Sequence, residues 1–259
     1  MSWILAVDVG NTVTRLGVVA AGEVQAGLRV PTAAADYADL LRRGLARLAP
    51  SEPPAAAGVC SVVPGRQGLV EETVAGLGAP PVVVGPEAAG GLTIAYEAPE
   101  TLGPDRIANA LAAWERFRGA CIAVDLGTAL SLEAVDGRGA LLGGALFPGI
   151  RAARAALEGA AARPIPAPRG RTWRAIGRDT GEAVAAGSGF GFPGLIEGLV
   201  AATREELGVP APAVLTGGGV RGLARWPVSI DACDRHLTLR GTALAAARSA
   251  GKNCRHPGA

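Results

Sequence analysis

An almost unbroken apolar run over residues 3–8 ends on Asp8, and Gly10, Asn11 and Thr12 follow as a tight turn rich in donors. Residues 13–20 and 23–30 continue as strands hinged at Ala21-Gly22, which predicts an antiparallel meander. The pattern then returns. Asp125 stands at the end of a second apolar run as Asp8 does at the first, and at the same offset Val18 meets Val135, Gly22 meets Gly139 and Gly27 meets Gly144. Each copy reads strand, acidic turn, strand, glycine turn, strand, so the chain carries a duplicated meander rather than a chance dipeptide.

Between the copies the apolar period changes to that of a helix over 36–48, with Tyr37, Leu40, Leu41, Leu45 and Leu48 on one face. Short buried strands at 57–63 and 81–84 flank a helix near 66–76. Pro99, Gly103 and Pro104 keep the next segment irregular, and from Arg106 the spacing of Ile107, Ala110, Leu111 and Trp114 is helical. After the second meander a helix runs from Ile150 to about 161. A proline- and arginine-rich loop (163–174) precedes a long helical region, 179–207, expected to break at its glycines and at Pro193. Val214-Leu215-Thr216 is a strand leading into Gly217-Gly218-Gly219, and a last helix is expected near 241–249. This order predicts an α/β chain of two lobes, 1–118 and 119–250, each a mixed sheet with an antiparallel meander and flanking helices. Residues 251–259 are expected to form a flexible tail.

Composition changes the picture at three points. A chain of 259 residues with 49% hydrophobic content can bury a core, as one large domain or two similar lobes. A net charge of +2 is too small to argue for nucleic acid. Lysine occurs once, at Lys252, so any phosphate must be held by arginine, backbone N–H groups, hydroxyls or a bound cation. The Gly-Lys-Ser/Thr of a P-loop is absent. Cys60, Cys121, Cys233 and Cys254 are scattered, as are His236 and His256, which argues against a zinc site and a disulfide framework. Cys60 and Cys121 lie in apolar runs and read as small buried hydrophobes. No apolar run approaches the about 18 residues that span a bilayer. The first strand begins at once, without a signal peptide. The expectation is a soluble, cytoplasmic protein with neither membrane nor nucleic acid as partner.

Two acidic turns at the ends of matching strands suit a nucleoside triphosphate and its divalent cation. Glycine lets the backbone approach phosphate, Asn11, Thr12 and Thr128 donate hydrogen bonds, and an aspartate holds the cation directly or through water. One Asp-x-Gly alone is more often a plain strand-ending turn; two in matching context reverse that balance. Gly217-Gly218-Gly219 after Thr216 suits the adenosine end of a nucleotide. Asp105 stands at or next to a helix N-cap. Taken singly, Asp105 is an ordinary cap, Arg106 a surface helix residue and Tyr96 a packing ring, and only their joint spacing sets them apart.

Duplicated meanders of this kind resemble the sugar kinase, actin and Hsp70 ATPase superfamily, built on two ribonuclease H-like lobes. The motif Tyr96-x-x-Pro99-x-x-Leu102-Gly103-x-Asp105-Arg106, with Asp8-x-Gly10-Asn11-Thr12 and Asp125-x-Gly127-Thr128-Ala129, is similar to that of type III pantothenate kinases. Gly143-Gly144, Pro148-Gly149-Ile150 and Ile176-Gly177-x-x-Thr180 fall where that family has them, and the resemblance runs from residue 4 to about 245. It implies ATP-dependent phosphorylation of pantothenate to 4′-phosphopantothenate, the first step of coenzyme A synthesis. It also implies magnesium, a monovalent cation (potassium or ammonium), and a homodimer that binds pantothenate where the subunits meet. On the resemblance Asp105 is the catalytic base, and Tyr96, Gly103, Pro104, Arg106 and Thr180 hold pantothenate. Asp8, Gly10, Asn11 and Thr12 form the phosphate and magnesium side, Thr128 contacts ATP, and Asp125 serves the monovalent cation. The chain departs from the family after Gly127, where two threonines and an aspartate are usual: Ser131 keeps a hydroxyl and Glu133 keeps the charge. Two other readings remain, a non-catalytic relative acting as an accessory factor for transcription and a small sugar kinase of the same superfamily.

Overall fold

The structure, a computed structural model, describes residues 2–167 and 173–253. The end of the expected tail, 254–259, and part of the arginine-rich loop, 168–172, lie outside the described residues. The chain divides into two units. The first gathers the described residues of Met1–Gly119, Val135–Gly143 and His236–Ala259; the second gathers those of Ala120–Ala134 and Gly144–Arg235.

The meander of the first unit consists of β1 (Ile4–Val9), β2 (Val13–Ala20) and β3 (Glu23–Pro31), paired antiparallel. Strands β4 (Ala56–Ser61) and β5 (Pro81–Val83) extend it in parallel on the other side of β1, giving the order β3-β2-β1-β4-β5. Side chains alternate across a strand. Leu5, Val7 and Val9 of β1 therefore share a face with Leu16, packed under Tyr37, Leu41 and Leu45 of α1 (Tyr37–Leu48) and Val70 and Val74 of α2 (Pro64–Ala75). Ala6 points the other way and meets Leu239 and Ala243 of α6 (Leu237–Asn253). Small residues let this helix lie close to the sheet: a Cβ on Gly58 would stand 2.6 Å from the Thr242 carbonyl oxygen. A further helix, α3 (Pro104–Phe117), packs on α6 just as closely, because a Cβ on Gly241 would fall 1.8 Å from the Ala108 carbonyl oxygen. Asp8 shares the Ala6 face by alternation. The short strand β6 (Thr93–Ile94) pairs in parallel with Ala140–Leu141 of β9 (Ala140–Pro148).

The second unit is built on β7 (Cys121–Leu126), β8 (Ala129–Val135), the later part of β9, β10 (Ala213–Thr216) and β11 (Ala232–Cys233), within the sheet order β11-β10-β7-β8-β9-β6. Here β10 runs parallel to both β7 and β11. Its core sets Phe192, Ile196 and Val200 of α5 (Thr180–Leu207) on Ile122, Val124, Leu126, Leu130, Leu132 and Leu215. By length and composition α5 is long and apolar enough to cross a membrane, and one such helix is weak grounds for a span because a core helix passes the same test. The helix α4 (Ile150–Ala160) has no fully buried residue, and sets Ile150 and Ala153 partly buried against this core.

Several elements differ from those the sequence predicts, among them the three helices α3, α6 and α5. Helix α3 starts at Pro104, since proline at a first helical position gives up an N–H that has no partner there anyway. Helix α6 starts at Leu237, ahead of the expected 241. The region expected to break at Pro193 is the single 28-residue helix α5. Pro193 cannot donate to the Gly189 carbonyl one turn back, and the Ala224 N–H takes that carbonyl instead at 2.9 Å. Cys60 and Cys121 are buried thiols, and burial pushes Cys121 up to about 12.

Candidate active site

The first acidic corner is the turn between β1 and β2. Gly10 N–H donates to the Val13 carbonyl at 3.2 Å and closes the turn, with Asn11 and Thr12 exposed at its tip. Thr32, just past β3, clamps both shoulders: its hydroxyl donates to Gly10 O at 2.8 Å and its N–H to Thr12 O at 3.1 Å. Behind it the buried hydroxyls of Thr32, Thr14 and Tyr37 form a chain, 3.1 Å and 2.9 Å apart. Asp8 is 3% exposed, and Arg15, opposite it in the β1–β2 register, donates from Nη1 to Asp8 Oδ2 at 2.7 Å. Burial lifts the Asp8 carboxyl above its ordinary range, Arg15 opposes that, and the negative charge of Asp105 adds to it.

Asp105 comes from the first turn of α3. Gly103 is the extended residue before the helix, Pro104 fixes the first helical φ, and Asp105 Oδ1 accepts from Arg106 N–H at 2.9 Å. Burial raises the Asp105 carboxyl, while that hydrogen bond and the Arg106 charge pull it back. Gly103 lies against the carboxylate: a Cβ there would sit 2.6 Å from Asp105 Oδ1. Arg106 is 6% exposed, unlike the surface residue its place on a helix would suggest. Its guanidinium lies 5.5 Å from the Tyr96 ring centroid and donates to Tyr96 Oη at 3.4 Å. Tyr96 is carried there by the β6–β9 pairing, and Gly143 on β9 leaves room beside its ring. The first unit thus holds a buried carboxylate at a glycine turn, a second carboxylate coupled to it, and an arginine–tyrosine pair adjoining the second.

The second unit holds the other corner. Thr216 of β10 pairs with Asp125 of β7, and Gly217, at φ +99°, follows at once. A Cβ on Gly217 would fall 2.4 Å from Asp125 Oδ1, so only a glycine leaves the space beside that carboxylate clear. Gly127 N–H donates to Ala129 O, Gly149 N–H donates to Thr128 O at 3.0 Å, and Thr128 itself is exposed. Thr180 is the exposed first residue of α5, behind the cap Asp179, whose side chain accepts from Glu182 N–H at 2.8 Å. Gly177 packs under this turn, where a Cβ would meet Ala183 N at 2.3 Å.

Of the site residues expected from sequence, Asp8, Gly10, Asn11, Thr12, Tyr96, Gly103, Pro104, Asp105 and Arg106 belong to the first unit, and Asp125, Thr128 and Thr180 to the second. Two polar contributors escaped the motif. Arg15 was legible in principle, since the turn length sets the hairpin register that faces it to Asp8. Thr32 carried no signal, because its partners lie across a strand and a turn. Among the described residues no three His, Cys, Asp or Glu side chains gather as a ready-made cage. A carboxylate at a glycine turn fits magnesium, which keeps much of its water and takes other ligands from phosphate. The glycine-cleared space beside Asp125 fits a small cation.

A family model described as type III pantothenate kinase matches residues 4–202. A type III pantothenate kinase from Moorella thermoacetica is 39% identical over 245 residues, covering 92% of this chain and 96% of that protein. Among solved structures, one described as a Baf family transcriptional activator from Campylobacter jejuni aligns at TM-score 0.58 and 16% identity, over 97% of this chain and 98% of that one. A ROK family glucokinase from Streptomyces griseus, solved with glucose and AMPPNP, aligns at TM-score 0.54 and 16% identity, over 95% of this chain and all of its own (100%). At such identities the two structures speak for the fold alone: two lobes, each a mixed sheet with flanking helices, as in the sugar kinases.

Proposed function

The chain belongs to the type III pantothenate kinase family and is an enzyme of that class, and we propose that it transfers the γ-phosphoryl group of ATP to the primary hydroxyl of pantothenate, giving 4′-phosphopantothenate. The observation that carries the reading is the placement, within one unit, of buried Asp8 at the end of β1 and Asp105 at the start of α3, near enough that the Asp105 charge helps raise the Asp8 carboxyl.

A primary alcohol does not ionise near neutral pH, so a carboxylate must take its proton as the new bond to phosphorus forms. Asp105 fills that role. Its raised affinity for a proton makes it a stronger base than an exposed aspartate, and its Arg106 hydrogen bond fixes the carboxylate in place. Arg106 and Tyr96 orient the substrate's carboxylate and amide, with Gly103 and Pro104 shaping the approach and Thr180 adding a hydroxyl. Gly10, Asn11 and Thr12 receive the phosphates and Thr128 contributes a hydroxyl to ATP. Asp8 would hold magnesium and Asp125 potassium or ammonium, and cations bound there would supply neutralisation of the charge on the transferred group.

The enzyme is a cytoplasmic homodimer in this reading. Leu146 and Phe147 on β9 and Leu157 on α4 are exposed, at 62%, 47% and 48%, and α4 has no fully buried residue, only Ile150 and Ala153 lying partly buried on its unit's core. That surface suits a second copy, with pantothenate bound where the subunits meet. A coupled ADP-release assay with pantothenate, magnesium and ATP, run with and without potassium, is the test. Turnover with pantothenate and none with hexoses is expected. Ligand binding without turnover points to a non-catalytic relative, and turnover with a hexose alone to a sugar kinase.

A further inference from the structure

The duplicated corners differ in one charged residue. At the offset that takes Asp8 to Asp125, Arg15 becomes Leu132. Leu132 is buried in the second unit's apolar core, whereas Arg15 is half-buried and donates to Asp8 Oδ2 at 2.7 Å. The first corner therefore carries a fixed cation on the very carboxylate expected to serve a divalent metal, and the second has none at that register. In a chain whose single lysine is Lys252, Arg15 is also the basic side chain set directly beside the phosphate turn of residues 10–12.

We infer that Arg15 is an exchangeable counter-ion for Asp8: it neutralises the buried carboxylate while no cation is bound and turns to a phosphate oxygen when a metal–nucleotide complex arrives. The inference rests on the kinase reading and adds to it a residue that sets how strongly metal and nucleotide depend on each other. Two physical demands support the exchange. A carboxylate 3% exposed needs a partner for its oxygens, here Arg15 at 2.7 Å, and one guanidinium can serve Asp8 or a phosphate but bonds both weakly at once. The residue opposite in the hairpin is also close to the turn, so the change of partner is a side-chain rotation with no strand moved.

The consequence differs between metal-free and metal-loaded nucleotide. Without Arg15, metal-free nucleotide meets an unneutralised Asp8, so it binds more weakly. The metal-loaded complex loses the phosphate contact of Arg15, but its metal meets an Asp8 with no competitor, and that gain offsets the loss. The affinity of AMPPNP is measured by calorimetry, with magnesium and with chelator, for the wild-type chain, Arg15→Leu (the second corner's residue) and Arg15→Lys. The ratio of magnesium-loaded to metal-free affinity should rise by at least about tenfold in Arg15→Leu and stay within about threefold of wild type in Arg15→Lys. A ratio unchanged in Arg15→Leu, with both affinities falling together, overturns the inference and leaves the kinase reading standing. A wild-type chain that binds AMPPNP under neither condition removes both. Should Arg15→Leu not fold, the wild-type chain decides through arginine side-chain nitrogen spectra, with the Arg15 signal assigned by Arg15→Lys. That signal should move on adding AMPPNP with magnesium, and a signal that stays fixed refutes the exchange.

Discussion

Burial lifts the Asp105 carboxyl above its ordinary value of 3.8, so the folded chain holds that proton more tightly than the unfolded chain does. The stability Asp105 contributes is therefore full below the unfolded value and is lost as pH rises through the raised one. At working pH the ionised base weakens the fold that positions it. Replacing it with asparagine should relieve that loss and keep the Arg106 N–H satisfied. The expected result for Asp105→Asn is turnover reduced about 10²–10⁴-fold, with AMPPNP binding retained and a melting temperature at pH 8 no lower than wild type. A variant that turns over normally would remove Asp105 from the mechanism. In the wild-type enzyme the acid limb of kcat against pH should lie above the usual carboxylate range and vanish in the variant. Asp105 and Arg106 were legible because a motif spaces them, but the burial of Arg106 was not. A helix pattern read from residues 107–114 marks the apolar stripe and says nothing of how Tyr96, just past β6, closes over the guanidinium.

The elements that carry the site are set by close approaches that no periodicity reveals. The apolar pattern correctly predicted the meanders, α1 and the existence of α6, because a half-buried sheet and an amphipathic helix each impose their own period. It missed the continuity of α5, since the rule that proline breaks a helix assumes that the stranded carbonyl stays unpaired. Here Ala224 supplies the donor from a loop 31 positions further along the chain than Pro193. The approach of α3 to α6 was equally hidden, resting on Gly241 lying against Ala108 O. Gly241→Ala should separate the two helices and lower stability by about 3 kcal/mol or more, the upper end of overpacking costs, measured by urea denaturation. Asp105 rides on α3, so a surviving fraction should also show reduced kcat. The Thr32 clamp makes a finer prediction. Thr32→Val keeps the shape and removes the hydroxyl that holds Gly10 O, costing about 1–3 kcal/mol and raising the KM for ATP more than it lowers kcat. Thr32→Ser should restore the KM, and a serine variant as impaired as valine would show that only packing matters at this position.

For the whole molecule, the surface is more informative than the charge. The net charge of +2 excludes little, whereas exposed Leu146, Phe147 and Leu157 mark where a second copy is expected. Leu146→Glu combined with Leu157→Glu should convert a dimer to a monomer in sedimentation velocity. If the partner completes the pantothenate site, the KM for pantothenate should rise while that for ATP changes little; a wild-type chain that sediments as a monomer would remove the dimer from the proposal. The return of α6 to the first unit has a different kind of consequence. Residues 237–253 cover the face of β1 that carries Ala6 and Asp8, yet they leave the ribosome only after the whole of 120–235 has been made. Strands β1 and β2 must therefore wait, one side uncovered, until synthesis reaches α6. The step that seats this helix is where a slow codon or a holding chaperone would have most effect on the yield of folded enzyme.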